Sequence, residues 1–131
     1  MSEFTEVEVA EVTGKALDWA TGVAVGKKMV VRKATGQDSG DLRVWESIGD
    51  LGGVSWFAPS SNWMHGGPLI DQYVGALSGQ NNVRDYAIAC PKGTCVVSYG
   101  DTLLMAACRA IVSSRLGAKV RVPAILLEDA S

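Results

Sequence analysis

Tyr86-Ala87-Ile88-Ala89-Cys90-Pro91-Lys92-Gly93-Thr94-Cys95-Val96-Val97-Ser98-Tyr99, running on through Gly100-Asp101-Thr102 into Leu103–Leu116, decides the fold. Two short β-prone runs flank Pro-Lys-Gly-Thr, which is hairpin turn chemistry. A four-residue loop sets Cys90 opposite Cys95, Ile88 opposite Val97 and Tyr86 opposite Tyr99. The side-chain period of two puts all six on one face. The other face carries Ala87, Ala89, Val96 and Ser98, small enough for a helix to pack closely. That helix follows at once. Asp101 or Thr102 caps it, Gly117 closes it, and apolar side chains surround it from Leu103 to Leu116. The pattern predicts an α+β fold. A small, mainly antiparallel sheet carries an N-terminal helix and a long C-terminal helix, in a single domain over residues 1–131.

Working outward, Val7, Val9 and Val12 suggest an entering strand. Thr13 then reads as an N-cap whose hydroxyl accepts a first-turn amide, with Leu17, Ala20 and Ala24 on one stripe and Gly26 at the end. Lys28–Lys33 and Leu42–Glu46 read as strands that pair across Thr35–Gly40, and Lys119–Pro123 as an edge strand. Gly49 to Asn82 is rich in turn residues and reads as loop.

At 131 residues, 47 % hydrophobic and 20 % charged, the chain is not a disordered one. No apolar run approaches the roughly 20 residues of a membrane span. The start, Met1-Ser2-Glu3-Phe4-Thr5-Glu6, lacks a basic and an apolar leader region, so a cytoplasmic location is expected. Twelve Lys and Arg against 14 Asp and Glu give a net charge of -2. With the cations scattered, this balance argues against nucleic acid as a partner. Cys90, Cys95, Cys108 and the single His65 do not make a four-ligand zinc pattern, so neither metal nor cofactor is expected and the thiols read as reduced.

The densest polar and aromatic segment is Ser60-Ser61-Asn62-Trp63-Met64-His65-Gly66-Gly67-Pro68. Ser60, Ser61 and Asn62 supply hydrogen-bonding groups, and Trp63 a stacking face. Gly66 and Gly67 let a ligand come close to their amides. The competing interpretation is a rigid turn between Pro59 and Pro68, with Trp63 anchored in the core. Arg109 is the one charge inside the apolar run from Leu103 to Val112. It requires a carboxylate such as Asp18, backbone carbonyls or an anionic ligand, and Ser113 shares its face. His65 is a candidate general base with Asp71 or Asp18 as orienter, but no nucleophile or phosphate-loop motif accompanies it.

Three blocks together resemble the NinX-type family of small tailed-phage proteins. They are Thr13-Gly14-Lys15-Ala16-Leu17-Asp18-Trp19-Ala20, Phe57–Ile70 with its Trp63-Met64-His65-Gly66-Gly67-Pro68, and Leu103–Ala110 with Val112–Gly117. They keep the family's order. The family more usually has Thr-Asp before the second block's tryptophan and Gln before Gly-Gly, where this chain has Ser61-Asn62 and His65. The resemblance implies a phage or prophage accessory protein acting in the bacterial cytoplasm, and it supplies no reaction.

The residues favour a non-catalytic binder of a small polar or anionic ligand, nucleotide-derived ones included, built on Trp63, Gly66, Gly67 and Arg109. Sequestering a host defence signal is the analogous role. The alternatives are an adaptor that inhibits or redirects a host protein and a small hydrolase using His65. Self-association into a homo-oligomer through the Leu103–Leu116 helix is also expected, because the helix has more apolar positions than one packing stripe uses.

Overall fold

Three small antiparallel sheets, not one, make up the strands of the computed structural model of the chain, which describes residues 3–33, 42–48, 53–79, 86–94 and 96–128, and the Leu103–Leu116 helix packs on two of them. In chain order the elements are β1 (Phe4–Glu8), α1 (Gly14–Ala24), β2 (Met29–Lys33), β3 (Leu42–Ile48), β4 (Gly53–Trp56), α2 (Trp63–Tyr73), β5 (Val74–Ser78), β6 (Ala87–Pro91), β7 (Ser98–Gly100), α3 (Leu103–Leu116), β8 (Lys119–Pro123) and α4 (Ala124–Glu128). The sheets are β1-β8, β2-β3-β4 and β5-β6-β7. The expected α+β class holds, as do the pairing of β2 with β3 and the edge strand β8. The turn at Thr35–Gly40 lies outside the described residues.

The hairpin is present with its register moved by two. Ile88 stands opposite Tyr99 and Ala89 opposite Ser98. The connection is therefore longer than four residues, and the expected Cys90–Cys95 pairing falls on Cys95, outside the described residues. A shift of two keeps Ile88 and Tyr99 on one face and Ala87, Ala89 and Ser98 on the other, as expected. Tyr86 and Tyr99 still meet edge to face, with ring centroids 5.4 Å apart. Ala87, Ala89 and Gly100 are buried on the face toward α3. A Cβ on Gly100 would lie 2.5 Å from the Ala106 nitrogen, so the strand and helix backbones touch there.

Sheet β5-β6-β7, α1, α2 and β8 all pack on α3. Leu104, Ala106, Ala107, Cys108, Ala110, Ile111 and Val112 are buried within the one chain. α1, α2, β8 and sheet β5-β6-β7 cover these apolar positions. A charge at Ala106 or Ala110 therefore enters the core and disturbs the fold whether or not the chain self-associates.

One local detail at α1 differs from expectation and one agrees with it. Thr13 is the N-cap of α1 by position, yet its hydroxyl accepts no amide. Gly26, at φ +85, follows the end of α1 and supplies the left-handed turn that a residue with a Cβ adopts at a cost. The larger difference lies in the region read as loop, which holds β4, α2 and β5. Helix α2 starts at Trp63 despite Gly66, Gly67 and Pro68. Asn62 caps it by accepting from the Met64 amide at 2.9 Å. Pro68 removes one helical amide, whose partner four residues back would be the Met64 carbonyl. Met64 is 84 % exposed, so water can take that carbonyl. Among the described residues no helix is long and apolar enough to cross a membrane.

Candidate functional site

Gly14, Ser60, Ser61, Trp63, Thr102, Leu103, Leu104 and Met105 line a groove of about 580 Å³. Its walls are the first turns of three helices. Gly14 opens α1, Trp63 opens α2, and Thr102 to Met105 open α3. None of the three has an acidic residue in its first turn. Each helix start carries unpaired amides and the positive end of a dipole, so the groove collects partial positive charge from the main chain. The caps are unequal. Asn62 serves α2, the Thr102 hydroxyl accepts from the Met105 amide at 3.1 Å, and α1 has no side-chain cap. Trp63, 54 % exposed, stands at the rim. It is not the core anchor of the competing interpretation.

The other residues singled out in this segment stand behind the groove. Asp18 is buried on α1, and its Oδ1 accepts from the Ser60 amide at 2.8 Å. That bond ties α1 to the segment entering α2. Burial raises the Asp18 pKa to about 6, while the hydroxyl and amide of Ser60 pull it back. His65 braces the same segment. Its Nδ1 accepts from the Ala58 amide at 2.9 Å, and its ring stacks on Phe57 and meets Trp56 edge-on. The bond is to neither Asp18 nor Asp71, the two orienters considered for His65 as a base, and matches the reading of a hydrogen-bonded histidine.

Gly66 and Gly67 part company. A Cβ on Gly66 would come within 2.6 Å of both the Pro59 carbonyl and the Leu104 methyl, so this glycine serves helix packing. A Cβ on Gly67 meets nothing within 4 Å. Gly66→Ala should therefore cost about 2 kcal/mol, with Leu104 giving way and Pro59 unable to. Gly67→Ala should add about 0.5–1 kcal/mol, because alanine favours the helix. Urea unfolding of the two variants checks the opposite signs.

Arg109 lies elsewhere. It lines a separate cavity of about 230 Å³ with Glu8, Val97, Tyr99 and Ser113 among its walls. Its Nε and Nη2 donate to the Val12 carbonyl at 3.2 and 3.1 Å, and Nη1 donates to the Tyr99 carbonyl at 2.8 Å. The expected pairing with Asp18 is thus replaced by carbonyls, one of the three partners considered. Burial lowers the guanidinium pKa, and the nearby Asp101 charge offsets part of this. Cys108, beside Asp18 and Thr21, has its thiol pushed up to about 12 by burial, which keeps it unreactive. Sequence reasoning missed Gly14 and Thr102–Met105 as groove walls. Each was visible as a helix start, but nothing local showed that the starts converge.

Residues 8–115 match the family model described as Bacteriophage P22, NinX. No curated protein matches the chain significantly. The matched span contains α1, α2 and all but the last residue of α3, and the three blocks that carried the resemblance fall within it or end just beyond it.

Proposed function

The chain belongs to the bacteriophage P22 NinX family, and from that premise we propose that this phage protein binds a small anionic ligand in the three-helix groove without turning it over. The observation that carries the reading is the convergence of three helix starts, free of first-turn acids, beneath an exposed Trp63. Helix amides suit a phosphate or carboxylate. The Trp63 ring and the apolar Leu103–Met105 wall suit a flat ring system. A nucleotide-derived molecule combines both chemistries. Ser61 adds a hydroxyl at the groove wall, while the hydroxyl of the buried Ser60 faces Asp18 and the Gly14 carbonyl. His65 and Asp18 are committed to the Ala58 and Ser60 amides, which favours binding over acid–base work. The role that fits is sequestration of a nucleotide-derived host signal in the host cytoplasm.

Thermal-shift measurements test this with adenosine 5′-monophosphate and a panel of cyclic dinucleotides. At least one should raise the melting temperature of the natural chain. Trp63→Ala should abolish that rise. Its own melting temperature should stay within about 3 °C, because Trp63 is solvent-facing. No shift across the panel, or a shift that survives Trp63→Ala, contradicts the reading.

The adaptor alternative rests on a different feature. Phe4, Trp19, Met29, Val31 and Ile125 line an apolar groove of about 570 Å³ on the other side of α1. Phe4 and Ile125 are exposed there. Stoichiometric capture of one host protein, lost in Ile125→Glu and with no nucleotide shift, favours that role.

A further inference from the structure

The cations that look scattered in the sequence gather on sheet β2-β3-β4. The register sets Val30 opposite Trp45, Arg32 opposite Arg43, Trp45 opposite Trp56 and Ser47 opposite Val54. The Ser47 amide donates to the Lys28 carbonyl, extending the ladder by one pair. With a side-chain period of two, Lys28, Val30, Arg32, Arg43, Trp45, Ser47, Val54 and Trp56 share one face. The opposite face is the core side: Val44 is buried there, Met29 meets α1 at Gly22, and Glu46 pairs with Lys27. Among the described residues the outer face therefore carries three cations, two tryptophans and no carboxylate, in a chain of net charge -2.

The details of that face suit stacking. The Trp45 indole N–H donates to the Arg32 carbonyl at 3.3 Å, so its ring reaches across toward β2. The Arg43 guanidinium lies 5.2 Å over the Trp56 ring, and Trp56 is 40 % exposed. Arg32 and Arg43 are directly opposite, so their guanidinium groups belong to the same face.

We propose that this face binds single-stranded DNA. Tryptophan rings and guanidinium planes accept unpaired bases, and Lys28 and Arg32 take the phosphates. A duplex keeps its base faces inside its stack and offers nothing to the tryptophans. Three strands about 4.8 Å apart, with β2 and β3 five and seven residues long, give room for about three nucleotides. Ser47 is the one side-chain hydroxyl on the face, and no carboxylate or amide there accepts from a ribose 2′-hydroxyl. Among the described residues Ser47 is thus the single side chain of this face that a 2′-hydroxyl could meet, so the face does not depend on one. The site is distinct from the three-helix groove and does not depend on it.

The test is fluorescence polarisation of a labelled ten-residue oligothymidylate with the intact chain. Binding should weaken with salt, with log K falling by about 1.4 per decade for two neutralised phosphates. Arg32→Glu changes an exposed side chain and should weaken binding at least about tenfold and flatten the salt slope, while Arg32→Lys retains both. Trp56→Ala should also weaken it about tenfold, with circular dichroism checking the fold. Absence of binding, equal affinity for a ten-base-pair duplex, or indifference to Arg32→Glu overturns the proposal. Tighter binding of oligouridylate overturns the choice of DNA.

Discussion

Arg109→Ala is expected to lower stability by about 3 kcal/mol. Three of the five guanidinium donors are engaged, all by the Val12 and Tyr99 carbonyls. Removal takes this donor from both carbonyls and enlarges the cavity lined by Val9, Tyr99 and Ser113. Val12 sits just before α1 and Tyr99 lies in β7, so the side chain fastens the start of one helix to a sheet. Arg109→Lys should recover only part of the loss, since one ammonium replaces a planar fork. Ligand affinity in the three-helix groove should stay within about twofold of the natural chain, because Arg109 lines a different cavity. Urea unfolding and a binding isotherm on the same variant separate the two effects. A tenfold loss of affinity with full stability would assign Arg109 to the ligand instead.

Asp18→Asn should do the opposite at neutral pH. The Asp18 pKa rises from 3.8 to about 6 on folding, with burial as the main cause. The folded chain thus holds this proton more tightly than the unfolded chain. The associated stability is complete below about pH 4 and is lost as pH rises through 6, a difference approaching about 3 kcal/mol. Asparagine cannot ionise and keeps an oxygen for the Ser60 amide. The variant and the natural chain should unfold alike near pH 4, and the variant should be the more stable by about 2–3 kcal/mol at pH 8. A difference that is the same at both pH values contradicts this. An acid at this position costs stability at neutral pH, which fits its place at the junction of α1 with the groove-lining Ser60.

The parts of the fold legible in the sequence are those set by local signals. The Thr102 cap and Gly117 bound α3, Gly26 ends α1, and alternation marks β2 and β3. Helix α2 was hidden because Gly66, Gly67 and Pro68 are strong breakers in isolation. Tertiary contacts outweigh them: Gly66 must let α2 approach Pro59 and Leu104, while Asn62 and His65 tie down its first turn. The hairpin register slipped by two because the turn is longer than its Pro-Lys-Gly-Thr suggested. The surplus apolar face of α3 suggested a partner because the sequence does not show how many sheets fold over it.

The site divides the same way. Ser60, Ser61 and Trp63 stand out as polar and aromatic residues beside a glycine pair, and they do meet at one groove. Asn62, His65, Gly66 and Asp18 were chosen for the same chemistry, yet their groups are spent on capping, bracing and close packing. Arg109 lines a different cavity, its guanidinium held by the Val12 and Tyr99 carbonyls, a spatial fact with no local trace. Lys28, Arg32 and Arg43 look scattered along the chain and become one patch only once the β2–β3 register is known.

The most direct test of the groove is a titration of the ¹⁵N-labelled chain with adenosine 5′-monophosphate, a fragment carrying both a phosphate and a ring. The amides of Gly14, Trp63, Leu103 and Leu104, together with the Trp63 indole, should shift along one shared saturation curve. No shift at millimolar concentration, or shifts confined to Val97, Ser98 and Ala118 around Arg109, would contradict a ligand held by three helix starts.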